Sequence, residues 1–503
     1  MATDADFQTN PSAWIERGAE LHPNRPFLTE PGGCRLTYQD LQRQTERMAA
    51  TLASIGAAAG ERIVLQAEKS TESILLYLAA LRIGAVLVPL NTAYTPAELE
   101  YFLSDAKPRL AVFRPQDKEQ LEPIARRAGC ASVETLGSTG DGTLMERVRR
   151  HSTPDLPQAE LGPDSLAAII YTSGTTGRSK GAMLTRRNLA SNAMALADCW
   201  RFTPDDVLLH ALPLFHVHGL FVAINTVLAA GASLLLLTKF DAGEVLRQLR
   251  FANVLMGVPT YYTRLLQQDA LSRESTEHVR LFVSGSAPLL AETHREFEQR
   301  TGHVILERYG MTETLMNTSN PYEGLRLPGS VGRRLPGVEV RVTGPETVGM
   351  LEVRGPNVFA GYWNDPQKTA ESFTADGFFI TGDLGSIDGS GYIHIVGRAK
   401  DVVISGGYNV YPKEIETELD AIPGVIESAV IGVPHPDLGE AVTAILAVAP
   451  GTHLTEPEIL RALRSRLARY KVPRLVRFVE ELPRNAMGKV QKAELRKIYR
   501  GDN

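Results

Sequence analysis

The eleven residues "YTSGTTGRSKG", from Tyr171 to Gly181, gather small hydroxyl side chains and glycines in one run and close it with a lysine. Glycines let backbone N–H groups converge on oxygens, and hydroxyls and an ammonium add further donors, so such a run can hold phosphate. The candidate donors are Thr172, Ser173, Gly174, Thr175, Thr176, Gly177 and Lys180. The apolar run "LAAIIYTS" before the loop reads as a buried strand, and "NLASNAMALADCW" after it has helical spacing, which predicts a strand, a loop and a helix. This is not the nucleotide-triphosphatase loop, which needs Gly-Lys-Ser/Thr: here Lys180 precedes Gly181 and no Ser/Thr follows. Taken alone, the stretch favours phosphate binding, with a flexible surface loop as the alternative.

Four more groups carry usable chemistry. In "ERYGMTET", Tyr309 offers a flat ring for stacking, Thr312 a hydroxyl for a phosphate oxygen, and Glu313 a hard carboxylate suited to Mg²⁺. In "FFITGDLG", Asp383 follows a strand and a glycine, where a carboxylate could accept both hydroxyls of a ribose. "GRAKD" supplies Arg398, Lys400 and Asp401, and "LPRNAMGKVQK" places Lys489 in a glycine-containing loop. Each has an ordinary alternative: a solvated strand end, a turn aspartate, a charged linker and a surface lysine.

These groups need a scaffold larger than one core. The chain has 503 residues, which implies two or more domains. Apolar residues are 43% and charged residues 22%, a globular composition, and a net charge of -5 argues against a nucleic-acid groove or an anionic membrane surface. Cys34, Cys130 and Cys199 are scattered, without metal or disulfide spacing, and "MATDADFQTN" has no apolar run, so a cytoplasmic protein without a cleaved signal is expected. The uncharged stretch 219–238 is interrupted by Asn225, Thr226 and "GAS", and it predicts a buried helix, a glycine turn and a strand rather than a membrane span.

Strand and helix patterns alternate through the first two thirds. "LTYQDLQRQTERMAATLASIG" predicts a helix capped by Thr37 with Asp40 three residues on and stopped at Gly56. "RIVLQAE", "AVLVPL", "VLLHALP", "VLMGVP" and "VRLFVSGS" read as strands, so the sheets should be mainly parallel and helix-covered. After about Pro328 short β-type runs with glycine turns predict a β-rich subdomain. The expected fold is α/β: residues 1–397 form a large N-terminal domain of helix-covered sheets, with the β-rich subdomain at about 328–397. Residues 398–503 form a small, mobile α+β C-terminal domain.

In order, "YTSGTTGRSKG", "RYGMTET", "TGD", "GRAKD" and "PRNAMGK" resemble the adenylate-forming superfamily of acyl-CoA synthetases, peptide-synthetase adenylation domains and luciferases, over nearly the whole chain. The resemblance implies a two-step reaction between the domains. ATP and a carboxylate give an acyl-adenylate and pyrophosphate, and a thiol, usually of coenzyme A, then displaces AMP. It implies that the 172–180 loop holds the outgoing phosphates, Tyr309 stacks on adenine, and Asp383 with Arg398 binds the ribose. Thr312 would touch the α-phosphate, Glu313 would bind Mg²⁺, and Lys489 would bridge the carboxylate and α-phosphate. A second pose would turn the small domain about Lys400, withdraw Lys489 and bring the "SGGYNVYP" loop, with Gly406 and Gly407, to the thioester site. His216 in "PLFHVHG" aligns with a side chain that gates the acyl-adenylate; on residue type alone His216 and His218 read as structural. The motif around Lys489 also resembles a target of protein lysine acetyltransferases, which implies that acylation would erase its charge. "VTGPETVGMLEV" is shorter than in relatives, a trimmed surface hairpin that touches no motif.

Within the superfamily, "GVPTYYTRLL", "VSGSAPLLAETHREF" and "TETLMNTSNPYEG" most resemble malonyl-CoA synthetases. Malonate keeps a second carboxylate that an arginine can hold with two parallel bonds. The resemblance gives that role to Arg295, helped by the Ser286 hydroxyl, although Glu292, Glu296 and Glu298 surround Arg295 as in an ordinary solvated helix face. The alternatives are a CoA ligase for another short-chain or aromatic acid, an amino-acid adenylating domain, and a non-catalytic nucleotide-binding protein. The amino-acid reading expects a substrate-amine aspartate and a following carrier domain, and the chain ends soon after Lys489. Retention of Lys489 and Glu313 argues against the non-catalytic reading.

Overall fold

The computed structural model describes residues 8–151, 161–172, 179–344, 347–406, 408–485 and 489–500. Local chemistry sets the first long helix, Tyr38–Ser54. Thr37 accepts the Asp40 N–H and the Asp40 carboxylate accepts the Thr37 N–H, a reciprocal cap worth about 1 kcal/mol. Ser70 caps Thr71–Ile83, which stops at Gly84 in a left-handed conformation. That second helix is buried almost all round because it packs between two sheets.

The larger sheet has nine strands. Its centre is parallel: Leu306–Met311, Leu281–Ser284, Val254–Gly257, Val207–His210, Ser233–Leu236 and Pro26–Thr29 lie in that spatial order. The second has six strands, with Arg62–Gln66, Val86–Pro89, Leu110–Phe113, Ser132–Thr135 and Leu166–Thr172 as its parallel part. A continuous core of aliphatic and aromatic side chains joins the two sheets. The uncharged 219–238 stretch is a buried helical segment, then Gly231 at φ 67°, then the strand Ser233–Leu236. Among the described residues no helix is long and apolar enough to cross a membrane.

Glu339–Thr343, Gly349–Arg354, Phe379–Ile387 and Ile393–Arg398 form a four-stranded antiparallel sheet. The hairpin "VTGPETVGMLEV" joins the first two of these strands, and its Pro345 and Glu346 lie outside the described residues. After a short 3₁₀ turn at Ala399–Asp401, a separate sheet with its own core is built on the long antiparallel pair Val425–His435 and Gly439–Val448. The helices Pro412–Asp420 and Glu456–Arg464 cover it, and Leu475–Val479 is its parallel edge.

One local expectation is corrected. The glycine–threonine loop does not run directly into a helix. Lys180–Thr185 is a strand paired antiparallel with Leu166–Thr172, and the helix Arg186–Cys199 begins only after it. The loop therefore joins two paired strands, and the positive end of that helix comes one strand later in the chain.

Candidate active site

The loop's flanks are firmly held. Thr172 pairs with Lys180 across the hairpin, the Tyr101 hydroxyl donates to the Ser179 carbonyl at 2.7 Å, and the Tyr171 hydroxyl donates to Asp105 at 2.5 Å. Ser173, Gly174, Thr175, Thr176 and Gly177 lie outside the described residues. Lys180 is half-buried, its ammonium 5.7 Å from the centre of the Tyr362 ring.

A tight reversal presents the next group. Gly310 leads into it, and a Cβ there would lie 1.8 Å from the Leu315 carbonyl oxygen, so only glycine fits. Thr312 and Glu313 sit in this reversal, both buried. The Glu313 carbonyl accepts the Phe359 N–H, and its carboxylate accepts the Tyr362 hydroxyl at 3.0 Å. Burial pushes the Glu313 carboxyl up, while the Tyr362 bond and Arg398 oppose the shift.

Asp383 and Arg398 meet because their strands are paired in register. The Arg398 Nε lies 2.6 Å from Asp383 Oδ1, and the Tyr309 hydroxyl donates to Oδ2. Thus both carboxylate oxygens of Asp383 are oriented from two sides. Burial and the Asp383 charge hold the Tyr309 phenol neutral, well above its ordinary range.

Lys489 comes to the same place from the small domain. Its N–H donates to Asn485 Oδ1 at 3.0 Å, and Arg484 and Val490 form a β-bridge around the loop. Arg484 pairs with Glu427, and Lys492 pairs with Glu416 at 2.6 Å, so the loop is pinned on both sides. Lys489 is exposed as a residue, yet its ammonium lies in the field of Arg398, Asp383, Glu313 and Arg308. Burial of the ammonium, then Arg398, lowers its pKa. Lys400 is exposed beside Asp401, which binds Arg496 at 2.7 Å. Gly406 is exposed with φ 59°, and Gly407 lies outside the described residues.

Close to these groups lies a residue that sequence reasoning passed over. Arg308, inside "ERYGMTET", is 3% exposed on the strand Leu306–Met311, the last of the parallel strands on its side of the sheet. Its Nε and Nη2 have no hydrogen-bond partner, and among the described residues no carboxylate pairs with it. Gly285 makes room for it: a Cβ there would lie 2.4 Å from the Arg308 Cζ. Burial lowers Arg308 to about 9, so it is still cationic at neutral pH. Around it stand His218, fully buried, and Ser286, whose Oγ lies 3.2 Å from His218 Nδ1. Ser286 has φ 73°, a strained backbone for a serine and a feature common at binding sites. His216 is half-buried; burial, then Lys489 and Arg308, push it down to about 3, so it is neutral at ordinary pH. The loop carrying both histidines is fixed by the buried Lys69, which donates to the carbonyls of His210 and Leu212 at 2.9 Å. The available sequence signal for Arg308 was a charged side chain following the apolar run "VIL" into a strand.

The structure places Arg295 apart from these groups. The helix Ala291–Thr301 turns Thr293, His294, Phe297 and Thr301 inward. Arg295 lies on the outer stripe, exposed, with its Nε donating to the Ala291 carbonyl at 3.2 Å and Glu292, Glu296 and Gln299 beside it. Helical periodicity keeps it out of the cleft where Ser286 and Arg308 sit.

Comparison with known proteins matches the large and the small part of the chain to two family models. The AMP-binding enzyme model matches residues 15–363, and the AMP-binding enzyme C-terminal domain model matches residues 414–489.

The chain belongs to the AMP-binding enzyme family.

It is an AMP-forming acid–thiol ligase of the adenylate-forming fold. It is 38% identical over 487 residues to the mitochondrial malonate–CoA ligase of Mus musculus, covering 88% of this chain and 82% of that protein. It is 53% identical to ATP-bound MatB from Rhodopseudomonas palustris, with a TM-score of 0.94 over 98% of this chain and 99% of that one. The apo form of the same MatB, at the same identity and coverage, gives 0.85. The arrangement here, with Lys489 directed into the cleft, is thus closer to the ATP-bound structure.

Mg²⁺ fits the donor set. Among the described residues no cluster of three His, Cys, Asp or Glu could hold a metal alone. One buried carboxylate at Glu313, beside the Thr312 hydroxyl, suits a cation that keeps water and phosphate oxygens as its other ligands.

Proposed function

We propose that this enzyme activates malonate as malonyl-adenylate and transfers the malonyl group to coenzyme A, releasing pyrophosphate and then AMP. The observation that carries this reading is Arg308: a buried guanidinium with free donors and, among the described residues, no carboxylate paired with it. An unpaired buried charge is costly, and an anionic substrate group would compensate it. Malonate brings such a group two bonds from the carboxylate that reacts. The similarity to malonate–CoA ligases points the same way.

In the proposed mechanism Asp383, braced by Arg398 and Tyr309, accepts the ribose hydroxyls. The Tyr309 ring faces the base, and the 172–180 loop with Lys180 receives the β and γ phosphates. Thr312 bonds the α-phosphate, and Glu313 would hold Mg²⁺, which supplies charge neutralisation at the phosphates. Lys489 offers its ammonium to the two anions that must meet, and a fixed cation there stabilises the charge that builds up. A malonate oxygen bonds to the α-phosphorus as the bond to the pyrophosphate oxygen breaks. Arg308, with Ser286 and His218, holds the spare carboxylate, and neutral His216 stands between that pocket and Lys489.

For the second step the small domain would turn about Lys400, carrying Lys489 away and bringing Gly406 and Gly407 to the cleft. The boundary we assign is therefore 397/398. The thiolate of coenzyme A attacks the carbonyl carbon, a C–S bond forms, and AMP leaves. Free Cys34, Cys130 and Cys199 suit a reducing compartment such as the cytoplasm. Acylation of Lys489 by a lysine acetyltransferase would remove the charge needed in the first step.

The test is product identification with ATP, MgCl₂ and coenzyme A across malonate, methylmalonate, succinate, acetate, butyrate and benzoate. Malonyl-CoA and AMP formed in preference to the other products support the reading. Preference for a monocarboxylate would leave the ligase chemistry and remove malonate.

A further inference from the structure

The Glu313 carboxylate and the Lys180 ammonium come from distant parts of the chain, yet one side chain touches both. Residues 360–363 run antiparallel beside 181–183: the Ala360 N–H donates to the Met183 carbonyl, the Met183 N–H to Gly361, and the Trp363 N–H to Gly181. This pairing puts Tyr362, 9% exposed, between the phosphate-loop hairpin and the Gly310–Leu315 reversal. Its ring is wedged edge-on against Phe359, with centroids 4.9 Å apart, and its N–H is held by the Thr369 hydroxyl at 2.9 Å. From that fixed position the hydroxyl donates to Glu313 Oε1 at 3.0 Å and the ring lies 5.7 Å from the Lys180 ammonium. A cation at that range is attracted to the ring face.

We infer that Tyr362 is a positioning residue that orients the Glu313 carboxylate for the Mg²⁺ of Mg·ATP and holds Lys180 toward the same phosphates. The inference rests on the reading of Glu313 as the Mg²⁺ ligand. The physical argument is one of occupancy and orientation. A carboxylate has about four lone-pair sites, and one hydroxyl donor fixes the plane of the group while leaving lone pairs for a hard cation. The ring keeps Lys180 beside the hairpin without neutralising it, as a carboxylate partner would.

The experiment is nucleotide binding by the full chain, measured by titration calorimetry with ATP in MgCl₂ and with ATP in EDTA. Tyr362→Phe removes the hydroxyl and keeps the ring. It should weaken Mg·ATP binding by about tenfold, the usual cost of losing a partner of a metal-binding carboxylate. Binding of ATP in EDTA and the melting temperature should hardly move. Glu313→Gln should show the same selective loss, and adding Tyr362→Phe to it should cost nothing more. Tyr362→Leu, which also removes the ring, should weaken binding in EDTA as well, because Lys180 loses its contact. If Glu313→Gln reduces the Mg²⁺ dependence and Tyr362→Phe does not, the role of Tyr362 is overturned while Glu313 stands. If Tyr362→Phe weakens both forms equally, the residue only packs, and the inference is overturned. If Glu313→Gln leaves the Mg²⁺ dependence intact, the Glu313 reading fails and the inference fails with it.

Discussion

Replacing Arg308 by Met removes the charge at nearly constant volume. In the ligand-free protein the guanidinium is 3% exposed and its Nε and Nη2 are unpartnered. A second carboxylate bound there would form a buried, bidentate, charge-assisted pair. Removing one member of such a pair costs about 3–5 kcal/mol, or about two to three and a half orders of magnitude in kcat/KM for malonate. Acetate has no second carboxylate, so its kcat/KM should change little. Arg308→Lys keeps the charge but loses the fork, and it should fall between wild type and Met. Because no carboxylate among the described residues pairs with Arg308, Met should leave the ligand-free melting temperature unchanged or raise it. The assay is initial-rate AMP formation with malonate and with acetate, beside thermal melts. Equal losses on both acids would refute the argument, as would a malonate-to-acetate ratio that does not move.

Two further outcomes follow from the site. Lys489→Ala should abolish pyrophosphate release yet spare thioester formation from supplied acyl-adenylate; equal loss in both half-reactions would contradict a role confined to the first. Burial pushes Glu307, next to Arg308 and opposed by the Gly329 and Leu289 N–H groups and Lys413, up to about 7 from an ordinary 4.5. The fold therefore favours the protonated form: the contribution is complete below about pH 4.5 and is lost as pH rises through 7, by at most about 3 kcal/mol. Glu307→Gln should match wild type in thermal melts near pH 4.5 and outlast it at pH 8, and a gap that is constant with pH would refute this.

Much of the architecture was legible because local and global signals agreed. The Thr37–Asp40 cap, the Gly231 turn and the apolar strand runs all formed where their chemistry pointed. The hairpin strand Lys180–Thr185 was not legible, since "KGAMLT" has no strong period and its partner is fixed by the sheet. The motif residues Tyr309, Glu313, Asp383, Arg398 and Lys489 come to one cleft from separate elements, a convergence that only the tertiary fold creates. Arg295 and Arg308 show the opposite lesson. Resemblance favoured the first, but helix periodicity turns it to solvent. The second lay inside a quoted motif, and its meaning comes from a burial that sequence alone does not state.

The most direct measurement is ATP–pyrophosphate exchange in the absence of coenzyme A, driven by malonate or by acetate at equal concentration. The account predicts rapid exchange with malonate, far above acetate, and loss of that advantage in Arg308→Met. Exchange driven equally by both acids in the wild type would contradict it.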